Sequence, residues 1–143
     1  LLPDDLIMKK NCSYSMIKLH KQYNSSIIAS RKIKKDDVFR WGIFDLKKFN
    51  ESIFFINDVV EKPSVKKAPS NYAVIGRYIL PAKIFTILRK QKPGQNGEIH
   101  ITDAIKTLIR QNNKFIGHVF AGKYLDCGTM RGYVNSSTEI SKL

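Results

Sequence analysis

Two kinds of apolar pattern mix along this chain, and the mixture limits its fold. In "ITDAIKTLIRQ", residues Ile101, Ala104, Ile105, Leu108 and Ile109 fall at i, i+3, i+4, i+7 and i+8, the stripe of an amphipathic helix. Elsewhere the apolar residues form short runs rich in β-branched and aromatic side chains: "SSIIASRKI", "VFRWGIFDL", "SIFFINDVVEK", "NYAVIGRYIL" and "FIGHVFAG". These read as strands. Further helices are expected over "SYSMIKLHKQY", with Ser13 near its N-cap, over "PAKIFTILRK", opened by Pro81, and over the tail from Tyr133. "QKPGQNGE" and "KYLDCGTMRGY" read as loops. Strands and helices mix throughout, so the chain is expected to be α/β, with one predominantly parallel sheet that hairpins interrupt.

No apolar run approaches the roughly 20 residues of a membrane helix. "LLPDD" lacks the basic and apolar regions of a signal peptide. It also lacks an initiator Met, and the chain is expected to begin inside a strand of something larger, with "LLPDDLI" a strand end entering a loop. At 143 residues and 43% hydrophobic, one domain with a real core is expected. Cys12 and Cys127 are too few for a disulfide framework or a four-ligand zinc site, and are expected to be reduced thiols in the cytoplasm.

The net charge of +13 admits three readings: a solvated surface, steering of an anionic substrate, or nucleic-acid binding. The lysines are spread as pairs (Lys9-Lys10, Lys34-Lys35, Lys47-Lys48, Lys66-Lys67), with no long basic run and no aromatic RNA-binding signature.

Four acidic or basic residues could carry chemistry. Asp4, beside Asp5, follows an apolar start, where open α/β sheets place ligand groups, and could hold Mg²⁺. A plain Asx-turn would explain it as well. Asp126 in "YLDCGT" precedes Gly128, which allows a tight turn toward a site. Nothing in the spacing brings Asp4 and Asp126 together. Glu61 and Lys62 end an apolar run before Pro63. The carboxylate could accept bonds from sugar hydroxyls and the ammonium could hold a phosphate, provided the strand ends there. A surface ion pair is the alternative. Gly76 inside "NYAVIGRYIL" signals a bulge or a close backbone approach. No nucleophile elbow, P-loop or His-based metal spacing is visible.

The order of "LLPDD", "RWGIFDL", "VVEKP", "APSNYAVIGRYIL", "KPGQNGEIHITDAI" and "YLDCGTMRGY" resembles the bacterial UTP–glucose-1-phosphate uridylyltransferases. More specifically, it resembles their C-terminal half, over nearly the whole chain. The resemblance implies the nucleotide-diphospho-sugar transferase fold, a Rossmann-like mixed sheet left incomplete because the N-terminal half is absent. Residues 1–143 would be the sugar-binding half. It implies an enzyme making UDP-glucose and pyrophosphate from UTP and glucose 1-phosphate, with Mg²⁺. Asp4 and Asp126 would be metal ligands. Glu61 would bind sugar hydroxyls and Lys62 the sugar phosphate; Gly42 and Val74 would line the sugar pocket. Asp4, Lys62 and Asp126 would be the catalytic set.

Trp41 stands where the family usually has Tyr, and Thr129-Met130-Arg131 replaces a segment that often reads Asn/Asp-Lys-Leu. The family's G-x-G-T-R-x-x-P loop and downstream Pro-Lys are absent. The implied partners are therefore the missing N-terminal half and, for the complete enzyme, further copies of itself, with neither nucleic acid nor membrane. Exposed apolar edges and faces are expected. The alternatives are an inactive remnant or sugar-phosphate-binding module of the same family, and a basic nucleic-acid-binding domain.

Overall fold

A computed structural model of the chain describes residues 1–8, 10–48, 50–94 and 97–142. Lys9 of the first lysine pair, Phe49 in the connection after Lys48, and Gln95-Asn96 of the expected "QKPGQNGE" loop lie outside the described residues. The order is β1 (Asp5–Met8), α1 (Cys12–Tyr23), β2 (Ser26–Lys32), a 3-10 segment (Lys35–Arg40), β3 (Gly42–Lys48), β4 (Ile53–Glu61) and β5 (Tyr72–Ile79). It continues with α2 (Lys83–Lys90), α3 (Ile101–Arg110), β6 (Phe115–Val119), β7 (Lys123–Asp126) and α4 (Met130–Ile140). Among the described residues, no helix is long and apolar enough to cross a membrane.

The chain is α/β with a mixed sheet, but its sheet is not predominantly parallel. Five strands pair in a closed ring, β2-β5-β3-β4-β6. Among the described strand pairs only β2–β6 is parallel. The β3–β4 hairpin and the antiparallel return of β5 onto β2 dominate because, among the described residues, the connections between β3, β4 and β5 contain no crossover helix. Closure leaves the five ring strands without the open edges expected of an incomplete sheet; the two-stranded β1–β7 sheet is not closed. Apolar faces do remain exposed, at Met130, Tyr133 and Val134 of α4 and at Phe85 of α2.

Strand alternation divides most of the core in two, beside a smaller third cluster of Val38, Ile43 and Ala73. Ile28, Phe54, Val74 and Phe115 pack toward Ala104, Ile105 and Leu108 of α3 and Ile84 of α2. Their neighbours Ile27, Ile53, Ile75 and Ile116 pack toward Cys12 and Met16 of α1. The stripe read from "ITDAIKTLIRQ" is thus the face that α3 buries. Helix α1 begins one residue before the expected Ser13 and is capped by Asn11, whose side chain accepts the Tyr14 N–H at 2.9 Å. Burial pushes the Cys12 thiol up to about 11, and both cysteines are free.

Three local readings need correction. Pro3 and Asp4 form a turn and the strand follows them, so Asp4 precedes β1 rather than ending a strand. "KYLDCGTMRGY" is not a loop: its first four residues are β7, and α4 starts at Met130. The front of "VFRWGIFDL" is 3-10, and only Gly42 onward is strand.

The ribbon of β1 and β7 stands apart from the ring, with Asp5 opposite Asp126. It is tied to the ring at Gly76, where both sequence readings of that glycine hold. The β2–β5 register shifts between Ile28 and Ser30, opposite this stretch of β5. A Cβ on Gly76 would lie 2.2 Å from Asp5 Oδ2 and 2.5 Å from Leu2 Cβ. The Gly76 N–H donates to Asp5 Oδ2 at 2.7 Å, and the Leu2 N–H donates to the Gly76 carbonyl at 2.8 Å. Arg77 donates to the carbonyls of Leu2 and Asp5.

Candidate active-site cleft

A cleft of about 540 Å³ opens where the ribbon, the ends of β3, β4 and β5, and the start of α3 meet. Every residue singled out from the sequence lines it: Asp4, Gly42, Glu61, Lys62, Val74 and Asp126. Arg40, Trp41, Tyr78, His100, Thr102 and Gly128 line it too, and were not among the expected site residues.

Glu61 is the last residue of β4, opposite Gly42 at the start of β3. The chain then turns: Lys62 takes the left-handed φ of +42°, and Pro63 is buried. That conformation is uncommon for a residue with a Cβ. It is held by the Lys62 N–H, which donates to the Trp41 carbonyl at 3.0 Å. The strand therefore ends at Glu61, and Glu61 and Lys62 both line one cleft. Thr102 Oγ1 donates to Glu61 Oε2 at 2.8 Å, and His100 Nδ1 lies 3.9 Å from Glu61 Oε1. Gly42 leaves room for this cluster. A Cβ there would be 2.9 Å from Thr102 Cγ2 and 3.2 Å from both Glu61 Oε2 and Val74 Cγ2.

The ribbon brings Asp4 and Asp126 together. The Cys127 N–H donates to the Asp4 carbonyl at 2.8 Å, and Asp126 Oδ1 accepts the Gly128 N–H at 2.9 Å. Both carboxylates lean over Gly128, where a Cβ would sit 2.6 Å from Asp4 Oδ2 and 3.3 Å from Asp126 Oδ1. Helix α4 fixes the Asp126 backbone from behind: Gly132 approaches its carbonyl so closely that a Cβ would be 2.3 Å away. Arg40 Nη2 pairs with Asp126 Oδ2 at 3.1 Å.

These oxygens suit a hard cation such as Mg²⁺, which is commonly held by one or two carboxylates and completed by water and substrate phosphates. Among the described residues there is no group of three or more His, Cys, Asp or Glu that would make an all-protein cage. Asp5 also borders the cleft but is buried. Burial lifts its pKa above the ordinary carboxylate value, although the Tyr124 hydroxyl and the Gly76 N–H both donate to it. The Tyr78 hydroxyl is pushed far up, first by burial and then by Asp5, Glu61 and Asp4, so it stays a neutral phenol.

Arg40 and Thr102 escaped sequence reading because their partners are 86 and 41 residues away. Thr102 stood in the quoted "ITDAI" segment, but helical periodicity there marks only the buried stripe.

The family model described as "Nucleotidyl transferase" matches residues 1–142. A UTP–glucose-1-phosphate uridylyltransferase of Pseudomonas aeruginosa is 36% identical over 140 residues, which are 96% of this chain and 50% of that protein. A crystal structure of UDP-glucose pyrophosphorylase complexed with UDP-glucose superimposes with a TM-score of 0.92 at 41% identity, covering 99% of this chain and 55% of that one. A UTP-bound enzyme of the same kind from Acinetobacter baumannii gives 0.81 at 32% identity, covering 98% and 49%. The chain thus spans about half the length of the relatives it matches. These shares support the half-length expected from the motifs; they do not carry the C-terminal placement.

Proposed function

Since the chain belongs to the nucleotidyl transferase family, we propose that it supplies the sugar-phosphate side of a UTP–glucose-1-phosphate uridylyltransferase, completed by a complementary half. The observation that carries this is the strand end at Glu61-Lys62. There a carboxylate and an ammonium share one cleft with the paired carboxylates of Asp4 and Asp126. The names of the relatives support the substrate class.

In this reading Glu61 accepts hydrogen bonds from vicinal sugar hydroxyls, with Gly42 and Val74 leaving the space for the ring. Lys62 holds the sugar phosphate as a point charge. A phosphate oxygen of glucose 1-phosphate attacks the α-phosphorus of UTP. The new P–O bond forms as the bond to pyrophosphate breaks, giving UDP-glucose. Asp4 and Asp126 would hold Mg²⁺, which supplies neutralisation of the phosphate charge. The protein's own part is positioning two polyanions in line, which is where most of the rate in such transfers originates. The excess of positive charge favours their approach.

A second reading, a sugar-phosphate-binding module without catalysis, is favoured by the half-length. Pyrophosphate release from UTP and glucose 1-phosphate with Mg²⁺ separates the two. The expected result is no release by the chain alone, release when the complementary half is added, and loss of that release with Asp126→Asn. Binding of glucose 1-phosphate with no release after complementation would establish the module instead.

A further inference from the structure

We infer that Thr102 is a positioning residue for Glu61, and that through it the cleft sets its discrimination among sugar hydroxyls; this rests on the sugar-phosphate reading above. Glu61 is a flexible side chain at a strand end, and a carboxylate free to rotate would select no hydroxyl pattern. Thr102 removes that freedom. It is 5% exposed, on the first turn of α3, and its hydroxyl donates to Glu61 Oε2 at 2.8 Å.

The threonine is itself fixed. Its side chain is β-branched and stiff at χ1. Its methyl faces Gly42, where a Cβ would come within 2.9 Å, so methyl and hydroxyl occupy defined sides. Serine could make the same bond, but without a methyl to lock its rotamer.

One carboxylate oxygen is thus held while the other is presented. Glu61 Oε1 is on the His100 side, at 3.9 Å, which is longer than a hydrogen bond. An ionised carboxylate has about four lone-pair sites, so three remain after Thr102 is satisfied. The positive end of α3 supports the negative charge in that position. The result is a carboxylate with fixed orientation and spare acceptor capacity, which suits two adjacent hydroxyls on one ring.

The test is calorimetric titration of the 143-residue chain with α-glucose 1-phosphate and with its 2-deoxy and 3-deoxy analogues. Wild type, Thr102→Val and Thr102→Ser are compared, each checked for an unchanged circular dichroism spectrum. Thr102→Val is expected to weaken glucose 1-phosphate about tenfold, the scale of one hydrogen bond to a charged group. It is also expected to shrink the preference over the deoxy analogue that wild type discriminates most. Thr102→Ser is expected to restore most of both. A merely structural threonine would weaken all three ligands equally and leave the ratios intact, and that result would overturn the inference while the sugar-phosphate reading stands. No binding of glucose 1-phosphate by wild type would overturn both.

Discussion

Arg40 Nη2 lies 3.1 Å from Asp126 Oδ2, so one of the two carboxylates suited to a cation already has a cationic partner. The pair is partly exposed, with Arg40 at 42% and Asp126 at 26%. Its worth to stability is below about 1 kcal/mol. Arg40→Gln is expected to leave the urea midpoint nearly unchanged and to tighten Mn²⁺ binding several-fold, followed by the loss of the free-ion signal in electron paramagnetic resonance. Unchanged or weaker Mn²⁺ binding would argue against Asp126 as a ligand.

Gly42→Ala tests the other end of the cleft. The backbone there is extended, so the cost comes from contacts alone. The new methyl would meet Thr102 Cγ2 at 2.9 Å and Glu61 Oε2 at 3.2 Å. Glu61 can give way more easily than buried Thr102. We expect a stability loss of about 1 kcal/mol and a clear weakening of glucose 1-phosphate binding, read by denaturation and calorimetry. Tight binding in this variant would mean that Glu61 does not face the ligand.

Gly117 in β6 is opposite Phe54 in β4, and the ring of Phe54 occupies the space a side chain would need. A Cβ at Gly117 would lie 2.1 Å from Phe54 Cζ. The ring cannot swing aside freely, because it packs edge-on against Phe44 and Tyr72, each 5.4 Å away between centroids. Gly117→Ala is expected to cost about 2–3 kcal/mol by overpacking. Urea unfolding at fixed pH measures it, and a cost below half a kilocalorie would show that the ring relocates.

His118, on the same strand, carries a pH signature. Burial lowers its pKa below the ordinary 6.5, against the opposing effect of a backbone hydrogen bond with Ser52. The unfolded chain then takes up the proton first as pH falls. This contribution to stability is complete above 6.5 and is lost as pH falls from there through the lowered folded value. His118→Gln is expected to remove that slope, so that wild type and variant diverge most in urea midpoint between pH 7.5 and pH 5. Parallel curves would place the histidine in contact with water.

The elements that could be read from sequence are those whose own residues repeat regularly. The α3 stripe and the apolar runs of β4 and β5 are local patterns, and they were legible. β7 was not: four residues with a charge at each end carry too little alternation, and "KYLD" becomes a strand by pairing with β1. The same pairing explains why Asp4 and Asp126 looked unrelated. Their approach is set by the Asp5–Asp126 register across the whole chain, which no spacing encodes. The mainly antiparallel ring was equally hidden, because strand direction depends on how connections cross. For the cleft, chemistry alone left Glu61-Lys62 balanced against a surface ion pair. The motif order moved the balance, and the turn at Lys62 places both residues on one cleft.

The closed ring also orders events in time. β2 at Ser26–Lys32 and β4 at Ile53–Glu61 obtain their last partner only from β6 at Phe115–Val119. Between the synthesis of β4 and that of β6, a growing chain therefore carries two strands that lack their last partner. Contacts so distant in sequence close slowly. Until they close, those strands are open to pairing with other chains. The exposure of the nascent polypeptide to mispairing is thus set by the topology, through five residues made after the other ring strands.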